Sequence, residues 1–268
     1  MGKKNNCKEE KKIMGLLDKL FGKKSSGCTN CTSTQDDTCK EQVVASVPID
    51  MSKHSENLGK VLINMSKDSK IDMSKHTARV AMVMDYSGSM SHLFRNGAVQ
   101  ETITRLLPIA LKFDDNGELE SWIFSDGYER LKAVTLGNYE DYVKKVIAKA
   151  RMGMGGTEYS PVLNNVITHY KDIEPSTIPA FVIFITDGEN SDATRTDRII
   201  RELSNYNMFV QFIGIGNSSF NYLEKLDKLD GRKTDNTGFI TVSDMNEMTD
   251  EQLYTEILRQ YKDWLNKR

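Results

Sequence analysis

From Ala81 to Met84 the chain runs four apolar residues without a break, then turns polar at once in Asp85-Tyr86-Ser87-Gly88-Ser89-Met90-Ser91. Such a run is the pattern of a strand buried on both faces, which requires a sheet covered on both sides. Phe181–Ile185 repeats the pattern, and Phe209–Ile215 reads as a third buried strand. Between and after these runs lie helical patterns. Apolar residues fall on one face over Val99–Phe113, with Pro108 inside, and again over Tyr139–Ala150 and Tyr159–Tyr170. Asp197–Tyr206, Leu223–Leu229 and Glu251–Leu265 continue the series. Leu119–Phe124 and Tyr128–Val134 read as a strand and its return arm around Asp126-Gly127, and Phe239–Val242 as a last strand. Strands alternating with helices specify an α/β, doubly wound, mostly parallel sheet, Rossmann-like, with helices on both faces. In that class, binding occurs at the carboxyl ends of the strands.

Three segments end at that rim. Asp85, Ser87 and Ser89 place a carboxylate and two hydroxyls at alternate positions, and Gly88 allows the backbone to curl without a Cβ penalty. Oxygen donors without sulfur or imidazole suit a hard divalent cation. Alone, the same residues serve equally as a strand-to-helix turn that caps the next helix. Gly153-Met154-Gly155-Gly156-Thr157 is a glycine-rich loop before a helix, and Thr186-Asp187-Gly188-Glu189 closes the second apolar run.

Asp85-Tyr86-Ser87-Gly88-Ser89, Gly155-Gly156-Thr157 and Thr186-Asp187-Gly188, in this order, resemble the metal-ion-dependent adhesion site (MIDAS) of von Willebrand factor A (VWA) domains. The likeness runs from about Ala78 to the C-terminus with no motif position substituted. Leu93-Phe94-Arg95-Asn96-Gly97, Gly156-Thr157-Glu158-Tyr159-Ser160 and the Met-Ser-Lys repeats before the domain resemble the bacterial tellurium-resistance (Ter) type. The resemblance implies that Ser87, Ser89 and Thr157 offer hydroxyls to Mg2+, or to Ca2+ or Mn2+, while Asp85 and Asp187 hold its waters or bind it directly. It also implies a protein-binding module whose partner completes the ion with an acidic group, in a tellurium-resistance or stress-response system.

An enzyme is not expected. A dehalogenase-type phosphatase needs an acid two residues after the first Asp, where this chain has Ser87. Nucleophile-elbow, Walker and zinc-protease motifs do not occur. His92 is the one candidate base near the rim, so Mg2+-dependent hydrolysis stays as the alternative. With 36 basic against 38 acidic residues, the chain lacks the positive field of a nucleic-acid binder.

Residues 1–48 read as a disordered tail of lysines and small polar residues, too poor in apolar surface to offset the entropy of ordering. Within it, Ile13, Met14, Leu16, Leu17, Leu20 and Phe21 share one helical face beside Lys19, Lys23 and Lys24. Ile13–Lys24 thus suits an anionic membrane surface or a partner's groove, or else packing on its own domain; Met14-Gly15 also resembles an alternative start. Cys7, Cys28, Cys31 and Cys39 carry a single C-x-x-C, too little for a zinc framework, and read as reduced thiols. Absence of a secretory signal points to the cytoplasm, with the membrane edge open to Ile13–Lys24. In 49–77, Val61, Ile63 and Met65 alternate with polar neighbours, as do Ile71 and Met73, which predicts a β-hairpin before a VWA domain at 78–268. His54 and His76, within its repeats, are expected to be solvated.

Overall fold

The computed structural model describes residues 49–188, 190–216, 218–243 and 248–268. The expectations for 1–48 lie outside the described residues. The chain divides into two units, Met1–Glu56 and Asn57–Arg268. The sheet and the sites below all lie in the second.

The β-hairpin expected over 49–77 is overturned. Ile49–Lys67 form one helix, α1. Leu58, Val61, Leu62 and Met65 recur at i, i+3, i+4 and i+7, a helical face. Leu58, Val61 and Leu62 are buried, whereas Ile63, which the strand pattern would place beside Val61, is 58% exposed. His76, expected in solvent, is instead half-buried. Its Nε2 lies 2.9 Å from the Tyr261 hydroxyl and its ring stands edge-on to Phe113.

The sheet has six strands: β1 (Arg79–Asp85), β2 (Leu119–Phe124), β3 (Tyr128–Val134), β4 (Ala180–Thr186), β5 (Met208–Ile215) and β6 (Thr237–Val242). Their order is β3-β2-β1-β4-β5-β6, all parallel except β3, which runs antiparallel to β2. The doubly wound α/β expectation therefore holds. Every residue of β1, β4 and β5 is buried, which is why these strands read as unbroken apolar runs.

Short helix α2 (Ser91–Arg95) and long helix α3 (Ala98–Phe113) follow β1. The helix expected over 139–150 breaks into α4 (Tyr142–Lys145) between two 3-10 turns. Gln100 of α3 takes part in that break: its amide donates to Tyr139 O and accepts from Val143 N–H. Then come α5 (Ser160–Thr168), a π turn (His169–Ile173), α6 (Ala193–Leu203), α7 (Asn221–Asp227) and α8 (Asp250–Asn266).

Alternation along the strands fills both faces. Ala81, Val83, Val182, Phe184, Val210 and Phe212 belong to one core with residues of α5, α6 and α7. On the other face Phe181 stacks on Tyr261 of α8 at 4.2 Å, and Phe209 packs on Tyr261 and Trp264. A buried ion pair, Arg105 Nε to Asp250 Oδ1 at 3.0 Å, joins α3 to α8. The chain leaves β1 for β2 on one side while β4 lies on the other. The crevice between the carboxyl ends of β1 and β4 is therefore the switch point of the sheet.

Candidate functional site

Register builds the site first. Met84 pairs with Ile185, so Asp85 at the end of β1 stands level with Thr186 at the end of β4. Thr186 Oγ1 donates to Asp85 Oδ2 at 2.6 Å, and Ser87 N–H donates to Asp85 Oδ1 at 2.7 Å. Ser87 Oγ and Ser89 Oγ are 3.0 Å apart, and Ser89 Oγ donates to Asp187 Oδ1 at 2.8 Å. Four of the five expected residues, Asp85, Ser87, Ser89 and Asp187, thus share one hydrogen-bonded network.

Thr157 reaches the same rim through the glycine-rich loop, which is stitched to three strand ends. Gly88 N–H donates to Gly155 O after β1, Glu158 N–H to Ser125 O after β2, and Ser191 N–H to Thr157 O after β4. A side chain would be more crowded at Gly155 than at Gly88. A Cβ on Gly155 would lie 2.7 Å from Asp126 Oδ1, whereas one on Gly88 would meet nothing closer than 3.9 Å. The described backbone of Gly88 also lies outside the left-handed region, so the curl expected of it does not depend on glycine.

Asp85 is fully buried. Burial pushes its carboxyl up to about 6; hydrogen bonds from Ser87 and Thr186 oppose the rise, and the nearby charge of Asp187 adds to it. A buried carboxylate short of positive charge, beside a second carboxylate and two hydroxyls, fits a hard divalent cation, since every donor is oxygen. His92, the candidate base, is exposed, with Nδ1 2.9 Å from Ser89 O. Glu189 lies outside the described residues.

Three supporting residues were missed as site residues. Thr186 is the polar last residue of an apolar strand and is fully buried, which is itself a signal. Asp192 accepts from the backbone N–H of Tyr159 and Ser160, fixing the start of α5. Burial raises the Asp192 carboxyl, but hydrogen bonds from Ser160, Tyr159 and Asn190 outweigh that and hold it below the ordinary value. Tyr159 donates its hydroxyl to Gly188 O at 2.6 Å, tying that helix to the loop after β4. Partners of Asp192 and Tyr159 lie in other elements, so no local spacing pointed to them.

Residues 77–268 match the family model vWA-TerF-like, described as a vWA found in the TerF C terminus. The chain belongs to the TerF-like VWA family. The uncharacterized protein YcbR of Bacillus subtilis (strain 168) is 38% identical to it over 200 residues, 74% of this chain and 82% of that protein. Solved structures similar to this VWA chain include an aerotolerance-related membrane protein from Bacteroides fragilis NCTC 9343. That match has 15% identity and a TM-score of 0.49, covering 71% of this chain and 100% of that one. The SpRpn10 VWA domain matches at 13% identity and TM-score 0.49, over 69% of this chain and 95% of that one. For the ArnB paralog VWA2 from Sulfolobus acidocaldarius the values are 18% and 0.44, over 70% of this chain and 46% of that protein, less than half its length. Among the described residues of this VWA protein, no helix is long and apolar enough to cross a membrane.

Proposed function

We propose that this TerF-like VWA domain is a metal-dependent protein-docking module in a bacterial tellurium-resistance or stress-response system, and not an enzyme. Ser87, Ser89 and Thr157 would hold Mg2+, or a similar hard ion, through their hydroxyls, with Asp85 and Asp187 holding its waters or binding it directly. When bound, the ion supplies an electrophilic position that an acidic side chain of a partner protein can fill. The observation that carries this reading is the chain Ser87 Oγ, Ser89 Oγ, Asp187 Oδ1, which gathers donors from two strand ends beside the buried Asp85 carboxylate. Thr186 and Ser87 N–H orient that carboxylate, and the loop hydrogen bonds hold Thr157 at the same rim. The family name supports the Ter assignment. We place the protein in the cytoplasm, with Ile13–Lys24 as its contact to a membrane surface or a partner.

A pull-down with wild type and Asp85→Ala, in magnesium and in chelator, tests the reading. Capture of the same acidic partner by wild type in magnesium alone is the expected result. Equal capture by Asp85→Ala, or in chelator, overturns it.

A further inference from the structure

The glycine-rich loop that carries Thr157 also carries Met154, whose side chain is 39% exposed. Single exposed apolar residues are ordinary on a protein surface and imply no ligand. Met154 differs in how its backbone is held. Upstream, Glu129 of β3 accepts from the N–H of Arg151 and of Met152 at 2.8 and 3.2 Å. The Ser125 hydroxyl, just past β2, lies 3.2 Å from Gly153 O. Downstream, Gly155 O accepts from Gly88 N–H at 3.1 Å, in the turn that carries Ser87 and Ser89. A methionine between two glycines could otherwise fold back out of water. Pinned on both sides, it is held out at the surface, one residue from a direct bond to the Ser87–Ser89 turn.

A second apolar element grows out of the same turn. Met90 N–H donates to Ser87 O and Ser91 N–H to Gly88 O, so α2 starts directly from it. No residue of α2 is buried, although two of its five are Leu93 and Phe94. The Phe94 ring stands edge-on to that of Tyr86, the neighbour of Asp85, at 5.2 Å. The donors Asp85, Ser87, Ser89 and Asp187 are thus bordered by apolar side chains that their own fold leaves uncovered. Methionine and aromatic side chains are what interface cores collect, and the thioether adapts to the shape laid on it.

The chemistry of the rim says what such a border is for. Mg2+ gives up its waters reluctantly, so one carboxylate on the ion is a weak contact, and any Asp or Glu could make it. Without the ion, Asp85 and Asp187 repel an incoming acid. Apolar area beside the acid supplies both affinity and choice. We infer that the partner segment docked at the rim carries apolar side chains flanking its metal-bound acid, received by Met154 on the glycine-rich loop and by Leu93 and Phe94 on α2. The inference rests on the rim reading and adds to it which acidic segments are selected.

The test titrates the full chain, in magnesium, with two synthetic peptides: a central Glu flanked by Ser, and the same Glu flanked by Leu. Isotope-labelled methionine methyls report binding, the Met154 signal being the one lost in Met154→Gln. The Leu-flanked peptide should bind about tenfold tighter and move the Met154 methyl. Met154→Gln, at an exposed position, should lower that ratio to about threefold or less. Equal affinity of the two peptides for wild type, or a ratio kept in Met154→Gln, overturns the inference. Self-association in magnesium that Met154→Gln abolishes gives the surface to a second copy and overturns it too. The magnesium-induced thermal shift of wild type is recorded alongside. Its absence, or a Leu preference that persists unchanged in chelator, overturns the metal reading itself, and the second of these leaves the apolar contact standing.

Discussion

At the carboxyl end of the sheet Asp85 accepts from the Thr186 hydroxyl and the Ser87 N–H, while at the amino end Glu120 lies against the His169 imidazole and the Arg130 guanidinium. Both carboxylates are drawn out of water. For Asp85, burial outweighs the hydrogen bonds and the carboxyl rises to about 6. For Glu120, burial raises it too, but His169, Arg130 and Arg79 together outweigh burial and hold it below its ordinary value. One sheet therefore handles buried charge in two ways. Under the proposed reading the rim leaves its acids to an external cation, whereas the amino end supplies much of the positive charge from its own side chains. Losing an ion should matter more at the rim, and losing a side chain more at the amino end.

The largest expected effect is at the rim. In magnesium at a hundred times its dissociation constant, wild type should gain about 2.7 kcal/mol, and Asp85→Ala nothing. In chelator the variant should be as stable as wild type or slightly more so, because repulsion between Asp85 and Asp187 is gone. Thermal melts decide it, and equal magnesium shifts in the two proteins would break the comparison.

Glu120→Gln comes next. It should cost about 1–2 kcal/mol by denaturant unfolding in chelator, since His169 and Arg130 lose their charged partner, while the magnesium shift survives. Because folding lowers the Glu120 pKa, its contribution is present above the unfolded carboxylate value and lost as pH falls through the folded one. The gap between wild type and variant should close in acid. A gap that persists there would make the loss one of packing.

Asp114 has the opposite sign. Its folded pKa is raised from 3.8 to about 6, so between those values the folded chain holds the proton more tightly than the unfolded one. Stability should rise as pH falls from about 6 towards 4, by roughly 1 kcal/mol once partial exposure is discounted. Asp114→Asn should flatten that part of the profile; an unchanged slope would assign it elsewhere.

Smallest is Thr157→Ala. It removes one neutral hydroxyl and leaves the charges in place, so magnesium binding should weaken by about 1 kcal/mol or less. Titration calorimetry checks this, and a loss as complete as that of Asp85→Ala would give the hydroxyl a larger share than the charge.

The layout of the sheet was legible in the sequence because parallel strands buried on both faces must be apolar throughout, and their ends must not be. Ala81–Met84 and Phe181–Ile185 could hardly be anything else. The same logic put Asp85 and Asp187 at strand ends, and the resemblance to the VWA metal site grouped them with Ser87, Ser89 and Thr157. Their meeting was decided by the pairing of Met84 with Ile185 and by the loop bonds at Gly155 and Thr157. Around α1 the local pattern was ambiguous: Val61, Ile63 and Met65 satisfy a period of two, while Leu58, Val61, Leu62 and Met65 satisfy a helical one. Burial of Leu62 and exposure of Ile63 chose the helix, a choice made by packing and not by propensity. Glu120, His169 and Glu174 were silent as a group. They come from a strand, a π turn and the residue after it, and the turn that aims His169 at Glu120 exists only in the folded chain. Local periodicity thus determined which segments are buried and which residues stand at strand ends. Register, loop stitching and one irregular helical turn determined which side chains share a site, because contacts between distant segments leave no spacing in the sequence.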